Sequence, residues 1–467
     1  MPSMAYEDRM SASDALMWTI ERDPLLRSTI VSVWILDGPP DPERVRAKLE
    51  ATARAIPRLR QKVVQDPLGV APPRWREDAD FDVDYHVRRV RAPGAGTRSD
   101  LLALAEPIAM QALDRDRPLW ELTLVEGLEE GRAAALLKLH HVISDGVGLV
   151  RMTASLIERS PEPEPGSEAP AAERAVTPAP WSPLDETLDA LRYQASRRIA
   201  QGRSAAGALL HGLGRLARGP VGALQDAAGL AASAARLLAP ASEPLSPLMR
   251  GRSLALRLHA LARPLEALKL AGKSAGGTVN DAFVAGIAGG LRRYHEQHGH
   301  AVDELRMTMP INLRHGDKGR RAGNQFAPVR FAVPVGIADP RARMREIHAR
   351  VARERAEPSL PALDILAGAM NRLPAPAATA AFGSMLKAVD FITSNVPGPP
   401  FPVWVSGARI LEMIPFGPLS GAAVNAVLFS YDGVAHVGVT SDRAAVPDPD
   451  QLVACLEKGM DEVLAAR

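Results

Sequence analysis

Cysteine is all but missing, with Cys455 the single one in 467 residues. No intrachain disulfide can form, which fits a reducing compartment. Cys455 stands among Leu452, Val453 and Leu456 in a terminal helical pattern and reads as core. Long apolar runs are missing too: no stretch reaches the roughly 18 uninterrupted apolar residues of a membrane span. Residues 1–14 are polar and acidic, without the apolar region of a signal peptide. A cytoplasmic location is the resulting expectation. An excess of one charge is also lacking. The formal net charge of +2 exerts no broad pull on nucleic acid, so no nucleic-acid partner is expected and any handle for a polyanion must be local.

What is present is ordinary for a globular protein, 46% hydrophobic and 24% charged residues. The length exceeds one ordinary core and predicts two domains with an elaborated connection. Residues 160–180 are dense in Pro, Glu and Ala and cannot bury a core, so they read as a linker. Beyond them, Leu184, Leu188, Leu191 and Ile199 form one helical stripe against Arg192, Arg197 and Arg198, and the arrangement repeats to Leu237. Such helices suit an anionic lipid interface or packing on the protein body. The expected units are 1–159, the linker and amphipathic helices over 160–250, and 251–467.

The chemistry is concentrated in Leu136-Leu-Lys-Leu-His140-His141-Val-Ile-Ser-Asp145-Gly146. Residues 136–140 look like the end of a half-buried strand, followed by a turn and a helix over 147–158. Side chains alternate along a strand, so His141 shares the face of Leu137 and Leu139 while His140 shares that of Lys138. Neighbouring strand residues cannot easily converge on one ion, so no metal site is expected. A single inward histidine suits general base work near neutral pH. The plain alternative is a satisfied core histidine. Gly146 and Gly148 flank the first residue of the helix, where their small size lets a ligand come close.

Around this stretch the pattern is of strands and capped helices. Runs over 120–126 and 133–140 joined by a Gly-bearing turn predict a hairpin, and residues 28–36, 253–259, 403–411, 423–431 and 434–440 read as further strands. Gly277-Thr278-Val-Asn280-Asp281 opens a long helix, whose free N–H groups place Asn280 where an anionic oxygen is stabilised, or simply at a helix start. Phe391-Ile-Thr393-Ser394-Asn395-Val-Pro-Gly-Pro399 ends a strand in a rigid loop. Its hydroxyls either reach a reacting carbonyl or cap the turn.

At these residues the chain resembles a known family. His-His-x-x-x-Asp-Gly is the signature of the CoA-dependent acyltransferase superfamily. The flanks, Pro118-Leu119-Trp120-Glu121, Thr278-Val279-Asn280-Asp281 and Ser394-Asn395-Val396-Pro397-Gly398-Pro399, resemble the bacterial wax ester synthase/diacylglycerol acyltransferase family nearly end to end.

The resemblance implies a mixed α/β, two-lobed chloramphenicol-acetyltransferase-like fold with the active site at the lobe interface. It implies transfer of a long-chain acyl group from acyl-CoA, as co-substrate, to diacylglycerol or a long-chain alcohol, with no other cofactor and with a membrane or lipid-droplet surface as partner. Alternatives that share the motif are a condensation-type enzyme and a catalytically silent lipid-binding protein. No Gly-x-Ser-x-Gly elbow or active cysteine is present, so direct transfer without an acyl-enzyme is expected.

By resemblance, His141 is the base and His140, Asp145, Gly146 and Asn280 complete the catalytic set. Asp145 either orients His141 or, as the resemblance favours, holds the loop through an arginine. Glu21 matches a glutamate near the reacting groups and is otherwise a solvated helix end. The segment Pro24-Leu-Leu-Arg27 departs from the family's usual Pro-Met-His. Pro118, Leu119, Trp120, Asp281, Thr393, Ser394 and Asn395 are expected at the substrate. Arg306, Lys318, Arg320, Arg321, Arg330, Arg341, Arg343 and Arg345 are either a CoA-phosphate patch or wet surface.

Overall fold

The computed structural model describes residues 7–67, 69–143, 153–162, 182, 184–197, 243–312, 326–356, 367–368 and 370–466, with backbone only at 311, 312, 326 and 327. Asp145, Gly146, Gly148, Lys318, Arg320 and Arg321 lie outside the described residues.

Two six-stranded sheets carry the two lobes. The first runs, in spatial order, β11 (Trp404–Val405), β12 (Ala408–Phe416), β1 (Thr29–Leu36), β6 (Ala133–His140), β5 (Trp120–Glu126) and β4 (Val87–Arg91). The second runs β7 (Leu256–Pro264), β14 (Val434–Asp442), β13 (Val424–Tyr431), β10 (Phe391–Pro397), β8 (Glu304–Asn312) and β9 (Phe326–Pro334). A small ribbon pairs β2 (Gln61–Val64) with β3 (Arg74–Glu77).

The helices that matter for the site are α1 (Ala12–Ile20), α2 (Pro42–Ala55), α3 (Val83–His86) and α4 (Arg98–Met110) in the first lobe. The helix over 184–197, α5, follows. The second lobe adds α6 (Leu265–Ser274), α7 (Val279–Gln297), α8 (Pro340–Arg355), α9 (Ala375–Lys387) and α10 (Pro449–Ala465). The long α7 starts where the sequence predicts, because Thr278 and Asp281 form a reciprocal capping box. It packs on α10 through glycines: a Cβ at Gly459 would lie 2.3 Å from the Gly286 carbonyl oxygen.

The lobes are not cut where the sequence suggests. Residues 404–416 belong by position to the second half, yet β12 pairs antiparallel with β1 over Val31↔Phe416 to Leu36↔Ile410 and completes the first sheet. The expected strand over 403–411 is really a tight hairpin, β11 and β12, turning at Ser406-Gly407. Of the expected strand over 253–259, residues 256–259 open β7, which runs on to Pro264, and 253–255 precede it. The expected helix over 147–158 does not reach Glu158, which bridges to Trp404 instead.

The half-buried strand is also corrected: every residue of β6 is buried. Odd positions such as Leu137 and Leu139 enter the first lobe's core, while Ala134 and Leu136 join a second cluster containing α4, Leu258 and Phe416. With both faces covered, alternation cannot separate an inward histidine from an outward one.

Candidate active site

His140 and His141 part company at the end of β6. His140 is the last strand residue and is 4% exposed; His141 begins a short 3-10 turn and is partly exposed. The Val142 amide donates to His140 Nδ1 at 3.2 Å, which leaves the ring proton on Nε2, 2.9 Å from Glu21 Oε2. Both ring nitrogens of His140 are therefore engaged, Nδ1 as acceptor and Nε2 as donor.

Glu21 is the hub of this arrangement. Its Oε1 accepts the Ser28 amide at 2.7 Å, and its Oε2 also meets Arg115 Nη2 at 3.3 Å. Ser28 in turn accepts the His141 amide on its carbonyl at 2.8 Å. The carboxylate thus fixes the side chain of one histidine and, through Ser28, the backbone of the other. Burial alone would raise the Glu21 carboxyl, but hydrogen bonds from His140 and Ser28 and the nearby positive charge hold it below the ordinary carboxylate range. Glu21 is no solvated helix end: its side chain is 5% exposed. Arg115 closes the group by lying 4.1 Å over the Trp18 ring.

Other expected substrate contacts belong to the scaffold. Leu119 and Trp120 are fully buried, and the Trp120 indole donates to the Leu59 carbonyl at 2.8 Å while stacking on His86. Leu119 accepts the His140 amide at 3.0 Å, so the Pro118-Leu119-Trp120 segment supports the histidine strand. Asp281 is 2% exposed, occupied by the Thr278 cap and by His348 Nδ1 at 2.9 Å.

The second lobe supplies a different group. Asn280, half-buried in the first turn of α7, donates from Nδ2 to Met309 Sδ at 3.5 Å, and Thr393 Oγ1 donates to Met307 Sδ at 3.2 Å. Met307 and Met309 are alternate residues on one face of β8. Parallel β8 and β10 pair only at Phe391↔Met307 and Ile392↔Thr308, whereas β10 stays paired with β13 to Pro397. The carboxyl ends of β8 and β10 therefore part at Thr393, leaving Ser394 half-buried and Asn395 exposed. Such a parting is where parallel sheets admit ligands.

Of the expected CoA patch, Arg343 is wholly buried and donates to the Ala285 and Ile337 carbonyls and to Glu462, so it is structural. Arg306 is spent on the Glu243 and Ala388 carbonyls, and Arg341 on that of Ala466.

Sequence reasoning missed Ser28, Arg115, Met307 and Lys138. Arg115 sits in an Asp-Arg-Asp-Arg run that reads only as a pattern break. Lys138 is 1% exposed, with its ammonium 3.7 Å from Glu121 and no hydrogen-bond acceptor in reach among the described residues. Burial pulls it below the ordinary lysine range despite Glu121. Among the described residues no cluster suits a metal ion, and no helix is long and apolar enough to cross a membrane.

The sequence matches the wax ester synthase/diacylglycerol acyltransferase catalytic domain over residues 10–283 and the C-terminal domain of the same family over 322–463. A protein of Mycobacterium tuberculosis (strain ATCC 25618 / H37Rv), provisionally named a diacylglycerol O-acyltransferase, is 40% identical over 464 residues, covering 99% of this chain and 93% of its own length. A second from that strain, tgs1, with a similarly provisional name, is 28% identical over 439 residues, covering 92% and 90%.

Among solved structures, the wax ester synthase/diacylglycerol acyltransferase of Marinobacter aquaeolei VT8 matches with a TM-score of 0.62 at 20% identity, covering 97% of this chain and 98% of that one. The first condensation domain of the calcium-dependent antibiotic synthetase, in complex with a substrate analogue, matches with a TM-score of 0.62 at 17% identity, covering 98% and 96%. At these identities the structures speak for the two-lobed fold, which is the one the sequence predicts.

Proposed function

The chain belongs to the wax ester synthase/diacylglycerol acyltransferase family, and on that premise we propose that it moves a long-chain acyl group from acyl-CoA to the free hydroxyl of diacylglycerol, forming triacylglycerol. His141 takes the hydroxyl proton as the oxygen attacks the thioester carbonyl. The carbonyl oxygen becomes an oxyanion beside the Asn280 amide; the C–S bond then breaks, and the proton passes from His141 to the CoA thiolate. Base and oxyanion donor contribute roughly 10²–10⁴-fold and 10²–10³-fold.

The observation that carries this reading is the division of labour between the histidines. His140 cannot accept a substrate proton without breaking its bond to Val142 or to Glu21, while the adjacent, partly exposed His141 is anchored by its backbone at Ser28. The reading extends to the protein's surroundings, a cytoplasmic enzyme touching a lipid surface. On α5 the exposed Leu184, Leu188 and Leu191 lie along one face with Arg192 alongside, while Glu186 and Asp189 tie the helix to Arg76 and Arg74. Flotation with anionic liposomes tests that contact, and failure to float removes it.

Purified protein given labelled palmitoyl-CoA with diacylglycerol, hexadecanol or an amine tests the chemistry. Triacylglycerol is expected, reduced about 10²–10⁴-fold in His141→Ala. Ester made at full rate by that variant sinks the base assignment; wax ester alone moves the acceptor to alcohols, and amide moves the reaction to the condensation class.

A further inference from the structure

The run Asp114-Arg115-Asp116-Arg117 lies between α4 and β5 and is mounted at both ends. The Tyr85 hydroxyl of α3 donates to Asp114 Oδ2 at 2.8 Å, and Asp114 Oδ1 accepts the Asp116 amide at 2.9 Å. Arg117 Nη1 donates to Asp78 Oδ2 at 3.2 Å and to the Asp80 carbonyl at 3.0 Å. Between these mounts Arg115 is turned toward the histidines. Its Nη2 meets Glu21 Oε2 at 3.3 Å, and its guanidinium carbon lies 4.1 Å over the Trp18 ring, which is itself 5.5 Å from the His140 ring.

Glu21 can hold both histidines only as a carboxylate. Its Oε1 takes the Ser28 amide and its Oε2 takes His140 Nε2. Protonation would turn one oxygen into a donor facing donors, and one of the two holds would break. Burial favours that protonation, and Arg115 is the one arginine or lysine against the carboxylate among the described residues, with His140 from β6 the other titratable group facing it. We propose that Arg115 is a positioning residue for the histidine pair: it touches no reactant and keeps Glu21 in the ionised state that holds the His140 ring and, through Ser28, the His141 backbone. The inference rests on the acyl-transfer reading for what the pair does, and adds what keeps it in place.

Arg115→Gln removes the charge and Arg115→Lys keeps it. The side chain is 46% exposed, and an ion pair so open to water adds little to stability, so both variants are expected to fold with melting temperatures near that of the wild type. With palmitoyl-CoA and diacylglycerol, Arg115→Gln is expected to lose about tenfold or more in kcat, with KM for either substrate changed less than about twofold, and Arg115→Lys to recover most of that loss. In acid, log kcat of the wild type is expected to fall with a slope near one, the base alone taking up a proton. In Arg115→Gln the Glu21 carboxyl loses a charge that opposes its burial and titrates at higher pH, so the slope steepens toward about two. Hydrogen exchange, followed by mass spectrometry without turnover, is expected to quicken over residues 140–143 in Arg115→Gln and not in Arg115→Lys, because the acceptors of the His141 and Val142 amides are fixed through Glu21.

Ester made at full rate by His141→Ala, with exchange still quickened in Arg115→Gln, removes the base and leaves the wiring in place. An inactive His141→Ala beside an Arg115→Gln with unchanged kcat and unchanged exchange overturns the proposal and spares the reaction. A fall in kcat that lysine does not rescue, with the slope still near one, also overturns it and makes Arg115 structural. A rise confined to KM for acyl-CoA overturns it as well, by making Arg115 a substrate contact.

Discussion

The histidine half of the site and the amide half are built in opposite ways. Around His140 each polar atom has a strong partner: an amide on Nδ1, a carboxylate on Nε2, and on that carboxylate a second amide and a guanidinium. Around Asn280 and Thr393 the donors end on thioether sulfur, a weak acceptor. A donor aimed at sulfur gains when an oxyanion arrives, whereas a group already well partnered loses by moving. On the proposed reading the first half therefore fixes geometry, and in the second the half-buried Asn280 is the donor placed to meet a charge, while Thr393, 1% exposed, stays interior.

Burial sharpens the lesson. Ser246 and His295 have the geometry of a nucleophile and base, with Ser246 Oγ 2.7 Å from Nε2 and the Nδ1–H donating to the Leu291 carbonyl. Yet both are wholly buried, and the hydroxyl also accepts the Leu248 and Met249 amides. That pair holds a loop; contact geometry alone does not make an active site.

The largest expected effect that separates the halves is at Asn280. Asn280→Ala should lower kcat by about 10²–10³-fold with KM for acyl-CoA little changed, because the amide's interaction strengthens only in the transition state. Its melting temperature should stay near that of the wild type, since the lost bond ends on sulfur. A large drop in melting temperature with unchanged kcat would move Asn280 to the structural half.

Glu21→Gln probes the other side and should act on stability first. Gln keeps the shape but presents an N–H toward His140 or Arg115, costing about 3 kcal/mol in chemical denaturation. Because the Glu21 pKa is lowered in the folded state from its ordinary 4.5, its contribution is fully present above that pH and fades as pH falls through the folded value. The gap between wild type and variant should therefore close in acid. A gap that stays constant from neutral pH into that range would show that the carboxylate charge is not what matters.

Much of this was readable in advance where local rules operate. The Gly277-to-Asp281 run placed the start of α7, and the Gly-bearing turn placed the β5–β6 hairpin. What could not be read depends on partners distant in the chain. Nothing in residues 404–416 announces that they finish the other lobe's sheet, because an antiparallel strand carries the same alternation whichever neighbour it joins. Glu21 looks like an ordinary helix-end carboxylate until β6 brings His140 to it. Trp120 stands two residues after a proline and reads equally well as a pocket wall, and only the Leu59 carbonyl and the His86 ring show it to be interior.

Lys138 offers the smallest and most telling test. Alternation puts it on the face opposite Leu137, which in a half-buried strand means solvent, but α4 and the second lobe cover that face. An ammonium buried this deeply, 3.7 Å from a carboxylate, regains little of its desolvation cost. Lys138→Met should be neutral or stabilising by about 1 kcal/mol, because Glu121 keeps Arg88 at 3.5 Å and is not stranded. The sign with pH follows from the lowered lysine pKa. Between the folded value and the ordinary 10.5 the unfolded chain binds more protons, so wild-type stability should rise with pH through that window and the variant's should not. Acyl transfer should survive, since the ammonium meets neither histidine nitrogen. A variant that is more stable yet slower would show that this charge is kept for the reaction, and would transfer Lys138 from the half that holds geometry to the half that handles charge.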